Sequence, residues 1–167
     1  MATQIQEANT TLDKDKMKII FTSSPNYTDY TVSTLEKSVI LINFQPQASI
    51  EDSLPLYPAA FYVDAKGVMG RIELLHGPQE WEHRSIKLPS SISAAGINFT
   101  DKGEASDEMS VEGDIYMYFD KSADILEFQV SEGDGEVISL GGDVAVKASR
   151  GELRSLFLLG YSKHSTG

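Results

Sequence analysis

Residues 64–75 read DAKGVMGRIELL, and residues 148–159 read ASRGELRSLFLL. Each stretch ends a short turn with a glycine and follows it with an apolar run of strand length. Gly67 and Gly151 suit such turns because glycine accepts a positive φ without a Cβ clash. The two glycines lie 84 positions apart. The sequence therefore predicts two hairpins of the same design.

The match between the two halves extends upstream without a gap. At the same offset, LEKS at 35–38 aligns with FDKS at 119–122, and Ile42 aligns with Leu126. Both halves contain short runs of β-branched, aromatic and aliphatic residues between turn residues. The predicted fold is mainly β, with two repeated antiparallel β-meander units packed as a β-sandwich or an open barrel, and little helix. Two such units would complete one core, because a single small sheet leaves an apolar face uncovered.

These patterns divide the chain into five parts that form one compact domain. The parts are a flexible N-terminal tail at 1–16, a first β repeat at 17–75, a linker at 76–113, a second β repeat at 114–161 and a flexible tail at 162–167. A short helix is considered for Ile92–Phe99, within the linker, or for the N-terminal tail. The sequence has no run of 18 apolar residues and no apolar leader at its start, which predicts a cytoplasmic protein without membrane contact.

A resemblance to a known family rests on two short motifs. FDKSADILEF at 119–128 resembles the pattern Y-D-x-x-A-D-x-L-Y-I, which opens a small bacterial and archaeal domain family of unknown function. The first half departs there, because Val39 and Ile40 stand where the pattern has Ala-Asp. Residues 64–75 are instead similar to the later part of the family pattern, D-x-D-G-x-x-x-G-I-E-I-L. The resemblance implies a compact β-meander in a bacterial protein, and it implies no activity.

The net charge of -11 is unevenly distributed along the chain. Residues 101–143 hold thirteen acidic residues and two lysines, while acidic and basic residues balance elsewhere. Such a field repels phosphate backbones, which disfavours nucleic-acid binding, and it attracts a basic protein partner. An alternative is that the carboxylates only form a solvated face. The candidate partner surface consists of Asp101, Glu104, Asp107, Glu108, Glu112, Glu132, Asp134 and Glu136.

Motifs for catalysis and metal binding are weak in this sequence. The chain has no cysteine and no G-x-S-x-G or phosphate-binding glycine loop. HGPQEWEH at 76–83 contains two histidines and two glutamates, but its spacing matches no standard metal motif, which predicts a polar loop with a packed Trp81. EGDGE at 132–136 lacks the ligand order of an EF-hand and indicates a hairpin tip. Asp120 and Asp124 are interpreted as turn residues rather than as paired carboxylates.

No metal, cofactor or catalytic residue is therefore predicted, and the chain reads as a binding protein more than as an enzyme. The favoured hypothesis is a non-catalytic protein-interaction module, monomeric or homodimeric, with a basic partner. Two alternatives stay open. One is an immunity or antitoxin-like inhibitor of a basic toxin, and the other is a small ligand-binding protein or hydrolase with a cleft between the repeats.

Overall fold

The computed structural model describes residues 11–13, 18–35, 39–47, 49–56, 58–100, 110–112 and 115–165. Within these ranges the chain forms sixteen strands, a 3₁₀ turn at Pro78–Glu80 and one short helix. The elements are β1 Thr11–Asp13, β2 Ile19–Thr22, β3 Asp29–Leu35, β4 Val39–Gln45, β5 Asp52–Leu56, β6 Ala59–Val63, β7 Met69–Leu74, β8 Glu82–His83, β9 Ser93–Ala94, β10 Gly96–Phe99, β11 Ser110–Glu112, β12 Tyr116–Asp120, β13 Ile125–Gln129, β14 Glu136–Gly141, β15 Val144–Ser149, β16 Glu152–Leu159 and α1 Tyr161–His164.

Two main sheets contain most of these strands. The first has the order β3-β4-β7-β6-β5, and all its neighbouring strands are antiparallel. The second contains five antiparallel strands in the matching order β12-β13-β16-β15-β14. A bulge adds Gly70 to β7 opposite β6, and a bulge adds Arg154 to β16 opposite β15. The prediction of a mainly β fold with antiparallel sheets is confirmed.

The inner faces of the two sheets pack against each other. Along β4, Ile40, Ile42 and Phe44 are buried while the residues between them are partly exposed, as expected for a strand with one face on the core. The ring of Phe61 in the first sheet meets Phe128 in the second edge to face, with centroids 6.1 Å apart. The arrangement is that of a sandwich, and the described strands close no barrel.

A ribbon of β2 and β10 is anchored on the two glycine turns. The amide of Ile19 donates to the carbonyl of Gly151, and the amide of Phe99 donates to the carbonyl of Gly67, each over 2.8 Å. Ile19 and Phe99 are cross-strand partners in the ribbon, so one turn from each sheet holds the same ribbon end. Gly67 and Gly151 have φ values of +89° and +77°, which confirms the predicted turn positions.

Residues 84–92, called the strap below, cross the outer face of the second sheet. At one edge β8 pairs in parallel with β12, and at the opposite edge β9 pairs in parallel with β14. Ile86 of the strap is buried with Ile125, Ala145 and Phe157 of the sheet. The segment predicted as a linker thus supplies a second, smaller apolar layer.

Two sequence predictions differ from the structure in the segments that flank the sheets. The short helix considered for Ile92–Phe99 is wrong, because β14 and β2 offer backbone partners and these residues form β9 and β10 instead. The predicted tail at 162–167 contains regular structure as far as Ser165, and its flexibility stays a prediction. Residues of that segment form α1, and Ser165 makes a parallel bridge with Val32.

The predicted N-terminal tail at 1–16 is described only at Thr11–Asp13, which pair in parallel with Ser110–Glu112. The rest of 1–16 lies outside the described residues. In the part of the chain that the structure describes, no helix has the length and apolar character needed to cross a membrane.

Candidate functional site

A cleft of about 400 Å³ opens where the start of β6 and the end of β7 approach the start of β12. The turn between β5 and β6, the segment after β7 and the first residues of β12 contribute to its walls. The lining residues are Pro58, His76, Glu80, Trp81, Glu82, Ile115, Tyr116 and Met117. The cleft therefore combines two carboxylates, an imidazole and two aromatic rings with apolar side chains, as small binding sites do.

One wall of the cleft, formed by residues 76–83, is fixed by Trp81. The indole is buried against Tyr161, with ring centroids 5.5 Å apart, and its Nε1 donates to the carbonyl of His76 over 3.3 Å. The His76 Nδ1 lies 3.4 Å from Glu80 Oε1. The predicted polar loop with a packed tryptophan is confirmed. Among the described residues, no group of three or more His, Asp or Glu side chains is arranged to hold a metal ion.

The opposite wall of the cleft comes from the start of β12. Ile115 and Met117 are buried, and Tyr116 between them is exposed at the mouth. Glu80 and Glu82 are exposed on either side of Trp81 along the chain. Carboxylates beside aromatic rings attract organic cations through charge and through the ring quadrupole. The arrangement is suited to an ammonium or guanidinium group.

No model of a known protein family matches the chain, and no curated protein matches it either. The resemblance of residues 64–75 and 119–128 to a domain family stays a resemblance of short motifs. The geometry of the cleft is therefore what carries the function proposed below.

The candidate partner surface is described in part. Glu132, Asp134 and Glu136 are exposed in the loop that follows β13 and at the start of β14. Five of the predicted residues have side chains outside the described ones: Asp101, Glu104, Asp107, Glu108 and Glu112, the last with its backbone in β11. The clustering of all eight carboxylates stays a prediction.

One carboxylate of the acidic segment is buried and fully paired. Glu127 Oε1 lies 3.1 Å from Arg84 Nη2, and Ser155 Oγ donates to Glu127 Oε2 over 2.7 Å. The Arg84 guanidinium also lies 3.5 Å above the centre of the Tyr118 ring. Since Arg84 begins the strap, this ion pair clamps the strap to the outer face of the second sheet. Its role is structural, and it removes one negative charge from the surface.

Asp120 and Asp124 both bind backbone amides. Asp120 accepts hydrogen bonds from the amides of Ile86 and Ala123 over 2.8 and 3.0 Å, and these bonds, Ile86 first, lower its pKa. Asp124 has a φ of +59°, and its carboxylate accepts the amide of Ser162 over 3.0 Å. The interpretation as turn residues is confirmed, with the added finding that Asp124 anchors α1.

A cluster that the sequence did not predict surrounds His164. Its Nδ1 lies 3.2 Å from Asp29 Oδ1, its Nε2 lies 2.8 Å from Asp143 Oδ2, and its ring packs on Tyr30 with centroids 4.0 Å apart. Burial raises the pKa of Asp143, but hydrogen bonds from His164 and Lys163 outweigh that effect and hold its pKa below the usual value. The cluster joins α1 to both sheets, and only the fold brings its members together.

Proposed function

We propose that the protein is a non-catalytic interaction module that acts in the cytoplasm and binds a basic protein partner. The observation that supports this proposal is the pair of exposed carboxylates, Glu80 and Glu82, beside Trp81 and Tyr116 in one cleft. A lysine or arginine side chain of the partner enters the cleft, where its charge faces the carboxylates and its aliphatic stem lies along the aromatic rings.

The charge of the whole chain favours the same kind of partner. A net charge of -11 raises the local concentration of cationic segments and speeds their encounter with the protein. This long-range attraction acts over a screening length of about 8 Å at physiological salt. The cleft supplies the short-range contacts, so the association rate depends on salt more than the dissociation rate does.

The lining of the cleft favours binding over hydrolysis. Hydrolases of the triad type need a serine, threonine or cysteine within reach of a histidine. The only hydroxyl among the described lining residues belongs to the phenol of Tyr116, and His76 faces Glu80 at 3.4 Å. A cleft of this composition can recognise a charged group, and its described lining holds no serine, threonine or cysteine to act as the nucleophile of a triad.

The lone tryptophan of the chain gives a direct test, because Trp81 lines the cleft. A peptide with one lysine, GSKSG, is titrated while Trp81 fluorescence is recorded, and GSMSG serves as the uncharged control, both peptides being acetylated at the N-terminus and amidated at the C-terminus. We expect a saturable change with GSKSG that the double variant Glu80→Gln/Glu82→Gln weakens at least tenfold. The control variant Glu132→Gln/Glu136→Gln removes the same charge from the acidic loop and should change affinity less than twofold.

Equal affinities for the two peptides would overturn the proposal. A larger loss in the Glu132→Gln/Glu136→Gln variant than in the cleft variant would also overturn it, and would place recognition on the acidic loop instead.

A further inference from the structure

The outer faces of the two main sheets differ in their cover. The outer face of the second sheet lies under the strap, whose Ile86 is buried there with Phe157. The first sheet has the same strand order, yet Leu35 and Leu75 on its outer face are 52% and 46% exposed. Large side chains exposed side by side mark an interaction surface more often than scattered ones do.

Leu35 and Leu75 belong to a row of apolar side chains across neighbouring strands, in which Val39 and Pro58 are partly exposed. Leu35 pairs with Val39 between β3 and β4. Ile40 pairs with Leu74 between β4 and β7, which places Val39 level with Leu75. Since Ile40 and Leu74 are buried, Val39 and Leu75 point outwards, as alternation along a strand requires.

The row leads directly to the cleft. The amide of Leu75 donates to the carbonyl of Pro58 over 2.9 Å, and Pro58 lines the cleft together with His76, the residue after Leu75. A partner that places a cation in the cleft therefore meets an apolar surface on the next strands. We call Leu35, Val39, Leu75 and Pro58 the apolar row.

We propose that the apolar row and the cleft together bind one extended segment of a partner, in which two aliphatic side chains precede a lysine or arginine at spacing i, i+2 and i+4. This proposal rests on the proposed function and adds the partner's sequence chemistry to it. The occupant runs across the first sheet from β3 towards β5, as the strap runs across the second sheet from β12 towards β14.

Strand geometry sets the spacing of the motif. Neighbouring strands lie about 4.8 Å apart, so the apolar row spans roughly 14 Å, which an extended peptide covers in about four residues at 3.3 Å each. Alternate side chains of that peptide face the sheet. Two aliphatic residues therefore rest on the row, and the next side chain on the same face reaches the cleft with its positive charge towards Glu80 and Glu82.

Three peptides test the motif on the full chain by Trp81 fluorescence and by amide chemical shifts. All three are acetylated and amidated at their ends: GLTLTKG carries the full motif, GSTSTKG lacks the aliphatic side chains, and GLTLTEG lacks the cation. We expect GLTLTKG to bind at least tenfold more tightly than either of the others. Loss of preference over GLTLTEG contradicts the proposed function, whereas loss of preference over GSTSTKG contradicts the role of the apolar row alone.

Variants of the protein separate the apolar row from general hydrophobicity. Leu35→Ser/Leu75→Ser should weaken GLTLTKG at least fivefold and leave GSTSTKG unchanged. Ile20 and Phe21 on β2 are 58% and 44% exposed, which makes Ile20→Ser/Phe21→Ser a matched control that should leave both affinities unchanged. Equal effects of the two double variants on GLTLTKG would overturn the proposal.

Discussion

Replacing each turn glycine by alanine separates backbone strain from steric contact. Gly67 and Gly151 have similar positive φ values, so the left-handed conformation costs either alanine about 1 to 2 kcal/mol. The space around them differs. A Cβ at Gly67 would lie 2.2 Å from the carbonyl oxygen of Phe99, whereas the nearest atom to a Cβ at Gly151 is the carbonyl oxygen of Ile19, at 3.5 Å.

The contact at Gly67 therefore adds a second cost. Forcing a methyl group into a packed site costs about 1 to 3 kcal/mol. We expect the free energy of unfolding to fall by about 1 to 2 kcal/mol in Gly151→Ala and by about 2 to 5 kcal/mol in Gly67→Ala. In Gly67→Ala, Phe99 must move away, which breaks its hydrogen bond to the Gly67 carbonyl.

Urea denaturation at a common slope measures both losses, and amide exchange of Phe99 reports on the ribbon of β2 and β10. The amide of Phe99 should lose protection in Gly67→Ala and keep it in Gly151→Ala. Equal losses of stability, or an unchanged Phe99 amide in Gly67→Ala, would show that the ribbon does not rest on the Gly67 turn as described.

Two further predictions concern charged clusters. Arg84→Met leaves the buried Glu127 carboxylate without its cation and should lower the free energy of unfolding by about 2 kcal/mol or more. The double variant Arg84→Met/Glu127→Gln should lose less unfolding free energy than the sum of the two single losses. An additive result would contradict the proposed ion pair between strap and sheet. The second prediction is a pH dependence. Because the folded pKa of Asp143 lies below the ordinary pKa of an aspartate, this carboxylate stabilises the fold above the ordinary pKa, and the stabilisation disappears as the pH falls through the folded pKa. His164→Ala should flatten the loss of thermal stability on acidification, and an unchanged acid limb would refute the role of this contact.

Local sequence patterns were sufficient to predict the strands of both sheets. They did not predict which residue of the first half corresponds to which residue of the second. The offset of 84 positions matches Ile42 with Leu126. In the structure Ile42 pairs with Ile72, and Phe128 pairs with Leu156. Ile72 and Leu156 are 84 positions apart and are taken as equivalent. Their strand partners, Ile42 and Phe128, then correspond to each other. The register differs by two residues, and an even shift keeps the same face buried. Hydrophobic alternation alone therefore cannot distinguish the two alignments.

The cleft depends on contacts between distant segments. The histidines and glutamates of residues 76–83 can be recognised in the sequence. Pro58 and Tyr116 join them only through the packing of the sheets. The serine, lysine and glycine residues around His164 predict a tail. Its partners, Asp29 and Asp143, belong to turns and strand ends far away in the chain, and no local signal connects them.

The short strands at the two ends of the strap, β8 and β9, affect how the molecule avoids aggregation. The unpaired backbone groups of an edge strand can pair with a strand of another molecule, and proteins prevent this with a covering segment, with charged side chains or with proline. The second sheet is protected at both sides, since β8 and β9 occupy the outer edges of β12 and β14. The first sheet ends at β5, where Pro55 lacks an amide hydrogen in the middle of the strand. The edges of the second sheet are thus protected against amyloid-like growth by cover, and the β5 edge of the first sheet by proline.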